Sequence, residues 1–222
     1  MKNQLLVFVG LAVIIATAMC NSSNGPSEYV IGSGNVVTEN RQVSGFDGIA
    51  VSGIGEVIVE RTGSESLTIT SDDNILPHLE SEVRNGILYL GEKNNVSLTP
   101  SDGIIYRITA STFDEINVSG AVTVLASGID TELLDTNMSG ACTIQTEGKA
   151  DSQDIATSGS TVYNGEDLDS RTVNINVSGT SHIVVRVSEF LRGLVSGAAL
   201  VEYIGNPTVD VTVSGTAVVR PR

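Results

Sequence analysis

Carboxylates and histidines are where chemistry would start in this chain, and they are thinly spread. The tightest acidic cluster is "GEDLDSR", which sets Glu166, Asp167 and Asp169 beside Arg171. Polysaccharide cleavage needs carboxylates or basic groups gathered on one face, one to protonate the leaving oxygen and another to act as base or nucleophile. This cluster falls where neighbouring stretches carry turn-like residues, so a solvated loop is the expectation. The two histidines, His78 and His182, are far apart in sequence, and no Cys/His spacing suits zinc. "SDDN", Ser71 to Asn74, offers hard oxygen ligands of the calcium type. It lacks the full ligand spacing and reads as a turn. From the residues, no catalytic group, metal ligand or cofactor site is assigned.

What elements would carry these groups is set by a repeat. Ser-Gly falls at Ser119, Ser139, Ser158, Ser178, Ser196 and Ser214, with spacings of 20, 19, 20, 18 and 18. The copies read "SGAVTV", "SGACTI", "SGSTVY", "SGTSHI", "SGAALV" and "SGTAVV". The residue after the glycine is always small, and the fifth after the serine is always apolar or aromatic: Val124, Ile144, Tyr163, Ile183, Val201, Val219. Such a period is too short for a four-stranded propeller blade and suits one coil of a β-solenoid. Alternation in Ile116-Asn117-Val118-Ser119 puts the apolar residues inside and Asn117 and Ser119 outside, so Val118, Val124, Ile144, Val177, Ile183, Val201, Val213 and Val219 are expected to line one interior. Gly120 then supplies the corner. An apolar residue every six positions, the beat of a left-handed hexapeptide helix, is missing. The expectation is therefore an all-β, right-handed parallel β-helix with 18–20-residue coils. The first half is less regular. Period-two strands at 57–60, 67–70 and 87–90 are punctuated by Gly-Ser and Asn-Gly turns, and "DDNILPHLESEV" suits one short helical turn. Those early coils are expected to be irregular, with no linker between the halves.

Three stretches carry a resemblance to a known family. They are "GFDGIAVSGIGEVIV" at 45–59, "SDDNILPHLESEVRNGILYL" at 71–90, and "INVSG" at Ile116 and again at Ile175. Together they make the chain similar to the putative auto-transporter adhesin head GIN domain family over roughly residues 43 to 220. The resemblance implies a β-helical fold and a bacterial, exported, often lipid-anchored protein. It brings no catalytic residues with it.

The N-terminus fits export. Lys2 precedes an apolar run from Leu5 to Ala18, the length of a signal-peptide core and short for a membrane span of ~20 residues. Two processing routes stay open: cleavage after Ala18 at an A-x-A site, or lipidation of Cys20. The polar stretch "CNSSNGPSE" after Cys20 suits a tether and tips the reading towards the lipoprotein. The expected organisation is a signal peptide at 1–19, a polar tether and lead-in at 20–42, and one β-helical domain at 43–222. Cys142, the other cysteine, lies in a strand-like run and reads as a small buried hydrophobe.

Charge and composition narrow the function. Acids outnumber bases 26 to 12, a formal net charge of −14, which excludes nucleic acid as a partner and disfavours electrostatic docking on anionic lipid. With no Trp and nine Phe and Tyr in all, platforms for stacking sugars look poor. Two positions before each serine the outward residue is Asn117, Asn137, Ala156, Asn176, Leu194 or Thr212. In-register stacking would make this an uncharged strip, and repeats of this kind present extended surfaces to partners. The candidate binding strip is therefore Asn117, Asn137 and Asn176. The expected function is a non-catalytic envelope module, adhesin-like or structural, that binds an envelope protein or a cell-surface polymer. The alternative is a polysaccharide lyase or hydrolase built on a β-helix.

Overall fold

Val, Ile and Thr alternating with small polar residues favour pleated, half-buried strands, and glycines between them supply corners. A computed structural model describes residues 28–222 in these terms. Its strands are β1 (Glu28–Ile31), β2 (Val36–Arg41), β3 (Gly48–Arg61), β4 (Ser66–Asp72), β5 (Leu79–Arg84), β6 (Ile87–Glu92), β7 (Val96–Thr99) and β8 (Ile105–Ala110). They continue as β9 (Glu115–Val177), β10 (Thr180–Val195), β11 (Leu200–Ile204), β12 (Thr208–Val213) and β13 (Val218–Pro221). No α-helix occurs among the described residues. The helical turn expected in "DDNILPHLESEV" is a single 3-10 turn, Leu76–His78.

β9 is one strand of 63 residues, and its pairing with β3 continues through the corner at Gly120. Gly120, Gly140 and Gly159 turn its corners at φ of 106°, 90° and 98°, angles that L side chains rarely adopt. β10 lies parallel on β9, pairing Thr180 with Ser160, His182 with Val162 and Val195 with Val177. β11 and β12 lie parallel on β10, and β13 on β11. These partners stand 18 to 20 positions apart, the spacing of the Ser-Gly copies, except for a slip to 17 where Arg186 and Val187 pair with Asp169 and Ser170. At the other end β3 joins the same stack in parallel, pairing Val51 with Val118, Ser52 with Ser119 and Gly53 with Gly120. Ser52-Gly53 is thus a further copy of the phrase, hidden from a period search by the long segment that follows it.

That segment corrects the expectation of a purely parallel sheet. β2 pairs β4, β4 pairs β8 and β5 pairs β6, all antiparallel, so the large sheet is mixed. The cause is local. Asn85 and Gly86 adopt φ of 52° and 83°, the backbone that closes a two-residue hairpin between β5 and β6. A hairpin returns antiparallel, whereas a coil corner returns only after a full circuit. Residues 28–41, expected in the lead-in, contribute two paired strands: β1 on β7 and β2 on β4.

One continuous core lies inside the coils. Val118, Val124, Ile144, Val177, Ile183 and Val201 are buried, as expected, together with Ile49, Val51 and Val57 of β3. Burying a Val, Ile or Leu side chain contributes about 1.5–3 kcal/mol. Val213 and Val219 depart from the expectation. Val213 is 44% exposed and Val219 only half-buried, because no coil covers this last turn among the described residues.

Candidate functional site

The outward row of the repeat becomes the floor of a groove. Alternation turns Asn117 outward between buried Ile116 and Val118, and the parallel register stacks its equivalents beside it. The Nδ2 of Asn137 donates to the Oδ1 of Asn117 at 3.0 Å, joining two neighbouring coils. Asn176 lies further along the same floor, beyond Ala156, and makes the next step to Leu194. The row also runs the other way. Ala50 of β3 pairs with Asn117, Tyr89 of β6 with Ala50, and Glu82 of β5 with Tyr89.

An open groove of about 730 Å³ follows this row. Asn117, Asn137 and Asn176 line it, with the hydroxyl-bearing Ser52, Ser119, Ser139 and Ser158 beside them. Its other side is the β5–β6 hairpin, which brings Glu80, Glu82, Arg84, Tyr89 and Glu92. Small-molecule sites fall in this size range. All three strip residues therefore meet in one place.

The electrostatics are uneven. Arg84 pairs with Glu82, and its guanidinium hydrogen bond holds the Glu82 carboxyl below its usual range. The Arg84 guanidinium also lies over the Tyr89 ring, 5.5 Å from its centroid. Glu92 is half-buried, and burial pushes its carboxyl up. An acidic row borders the floor. Asn117 Nδ2 donates to Glu115 Oε1 at 2.5 Å and Asn137 Nδ2 to Asp135 Oδ1 at 2.9 Å. Burial, then the neighbouring Glu115 and Asp154, push the Asp135 carboxyl up. The amides of the floor thus screen carboxylates that the repeat stacks one above another.

The other sequence candidates are structural. Glu166 pairs with Arg222 at 2.5 Å, Asp169 with Arg186 at 3.5 Å, and Arg171 with Glu189 at 2.9 Å, while Asp167 is exposed. "GEDLDSR" is an ion-paired surface. The "SDDN" segment ties the N-terminal strands down. Buried Asp72 accepts hydrogen bonds from the hydroxyl and N–H of Ser101 at 2.6 and 2.8 Å, and from the N–H of Gly34 at 2.7 Å. Asp73 accepts from Ser33 Oγ, and Asn74 Nδ2 donates to the carbonyl of Ile31. Those oxygens are already occupied, and among the described residues no group of three or more His, Cys, Asp or Glu could hold a metal. His182 sits on the surface with Nε2 3.0 Å from Glu202, which Arg220 also reaches. Cys142 is buried, its Sγ 3.7 Å from the Ser139 carbonyl. Cys20 lies outside the described residues.

Sequence reasoning missed the hairpin side of the groove. The Asn-Gly turn was legible, but nothing in a linear reading tells that Tyr89 joins the row of Asn117. Only the pairing of β6 with β3 brings them together.

Comparison with known proteins bears on the whole of this architecture. Residues 45–207 match the family described as putative auto-transporter adhesin, head GIN domain. The chain belongs to that family. Among solved structures, this head GIN chain is similar to a putative adhesin from Bacteroides fragilis, at 19% identity and a TM-score of 0.70, covering 86% of this chain and 98% of that one. It is also similar to a putative adhesin from Parabacteroides distasonis, at 18% identity and a TM-score of 0.59, covering 88% and 100%. A third, a putative lipid binding protein from the same organism, aligns at 18% identity and a TM-score of 0.50, covering 88% and 100%. At these identities the likeness is one of fold. A search of curated proteins matches none to this chain. Among the described residues, no helix is long and apolar enough to cross a membrane.

Proposed function

We propose that this head GIN chain is a non-catalytic, adhesin-like binding module of the bacterial envelope, and that it binds its partner in the groove over Asn117, Asn137 and Asn176. The observation that carries the reading is the convergence of the uncharged strip and the β5–β6 hairpin on one groove of about 730 Å³. A second support is the pairing of the remaining acid clusters with arginines, which leaves them structural. The parallel register of partners supports a solenoid for residues 115–221, a rigid platform for an extended surface, and its right hand rests on the missing six-residue apolar beat. The apolar run before Cys20 supports export and a lipid anchor, with residues 43–222 acting as one domain that β1 and β2 join by pairing with β7 and β4.

Two experiments test this. The first is capture of envelope components by the purified protein, compared with Asn137→Lys, which places a cation in the middle of the floor. Loss of capture with an unchanged melting curve supports the groove. Unchanged capture moves binding to another face. A parallel screen for lyase and hydrolase turnover on polysaccharides should be blank. Turnover abolished by changing Glu92, Glu166, Asp167 or Asp169 would overturn the non-catalytic reading. Separately, Cys20→Ser should release the protein from membranes when it is expressed in a bacterium. A soluble wild-type chain beginning at Met19 would establish cleavage after Ala18 instead.

A further inference from the structure

The chemistry of the groove selects among ligands, and resting on the groove reading above, we propose that its occupant is a neutral glycan chain. Protein partners are anchored by buried aromatic, aliphatic and arginine side chains filling apolar pockets. This floor offers the opposite: amides of Asn117, Asn137 and Asn176 and hydroxyls of Ser119 and Ser158, small groups that donate and accept. A polyol matches such a surface because every hydroxyl also donates and accepts. The neighbouring carboxylates add stronger acceptors for sugar hydroxyls.

One aromatic stands at the end of this floor. Tyr89 is 42% exposed, in the row of Ala50 and Asn117, with Arg84 over its ring. A flat ring of this kind stacks on the apolar face of a sugar while the floor takes the hydroxyl edge. The few aromatics of the chain suggested poor stacking platforms, but one of them is placed where a single platform is needed. Spacing fits as well. Parallel coils are ~4.8 Å apart, so the floor from Ala50 to Asn176 extends about 19 Å and repeats its polar groups at an interval comparable with one hexose of an extended chain.

Charge then chooses the kind of sugar. Glu80, Glu82 and Glu92 face the groove against Arg84 alone, and Arg84 is already paired with Glu82. A uronic or sialic acid polymer would bring its carboxylates against this rim unpaired. Neutral hexose or pentose chains carry no such penalty.

The test is an array of immobilised oligosaccharides, neutral, amine-bearing and uronate, probed with the purified full chain, followed by calorimetry on each hit. Neutral chains should bind and uronate chains should not. Tyr89→Ala should weaken binding about tenfold or more and Tyr89→Phe should retain it, separating stacking from the hydroxyl. Asn137→Ala should weaken it several-fold, and Thr143→Ala, on another face, should leave it unchanged. Binding confined to uronate chains, or neutral binding indifferent to Tyr89 and Asn137, overturns the inference. An array blank for neutral sugars also overturns it. If Asn137→Lys still abolishes capture of an envelope protein in that case, the groove reading stands and only the glycan fails.

Discussion

Gly179 gives the sharpest test of how the coils stack. It adopts φ of +93°, and a Cβ built there would lie 2.4 Å from the carbonyl oxygen of Gly159 and 2.8 Å from its nitrogen. The same contact recurs up the column, Gly140 on Gly120 and Gly197 on Gly179. In Gly179→Ala two costs add. Placing an L residue at positive φ costs about 1–2 kcal/mol. Relieving a clash with backbone atoms then means prising two coils apart between the bond from Ser178 N–H to the Thr157 carbonyl, 2.9 Å, and the ladder that begins where Thr180 pairs with Ser160. At about 1 kcal/mol for each bond weakened, the total is about 3–4 kcal/mol. Gly63 is the control, because it has φ of +84° and open space around its would-be Cβ. Gly63→Ala meets only the backbone cost, about 1–2 kcal/mol, partly offset by the stiffer unfolded chain. Urea unfolding of both variants isolates the stacking contribution as a gap of about 2 kcal/mol, or roughly 4–8 °C in melting temperature for a domain of this size. Equal destabilisation of the two variants would refute the argument that the glycine column is required by backbone contact between coils.

Ile144→Ala empties a fully buried position and should destabilise by about 2–5 kcal/mol in the same assay. Tyr163→Phe should cost about 1–3 kcal/mol, because the buried Tyr163 hydroxyl donates to Gln153 Oε1 at 2.6 Å and accepts from Thr146 Oγ1 at 3.1 Å, and both partners would be left in the core. The pH dependence centres on Asp72, whose carboxyl is held below its usual range first by the Ser101 hydroxyl and then by the Ser101 N–H. A depressed folded value means that its stabilisation is complete above the ordinary carboxylate value of ~4 and is lost as pH falls through the folded one. Asp72→Asn should therefore lower stability at neutral pH and flatten its acid limb, and an unchanged acid limb in unfolding curves from pH 2 to 7 would count against that role.

How much of this was legible in the sequence follows from which signals are local. The coil period was legible because each Ser-Gly corner carries its own glycine and the next copy arrives 18–20 residues later. The interior positions Val118, Ile144 and Ile183 followed from alternation within each copy. The strip of Asn117, Asn137 and Asn176 followed from the same alternation, and the structure brings all three to one groove. The antiparallel hairpins were not legible as such. Their turns were visible at Asn85-Gly86, but whether a strand returns beside its predecessor or joins a distant coil depends on pairing partners. Tyr89 shows the consequence. Its neighbours in the row are Ala50 and, beyond it, Asn117, tens of residues away in sequence. The buried acceptor role of Asp72 was hidden for the same reason, since Gly34 and Ser101 approach it from both sides of the sequence.

The central claim is that one groove, built from the repeat and the β5–β6 hairpin, is where this protein binds. Hydrogen–deuterium exchange of the protein with and without a bound envelope ligand tests it directly. Protection is expected in residues 80–92, 115–119 and 135–139, the stretches that share the groove. Protection confined instead to the separate cluster around Lys149, Arg171 and Arg186, with the groove unchanged, would contradict it.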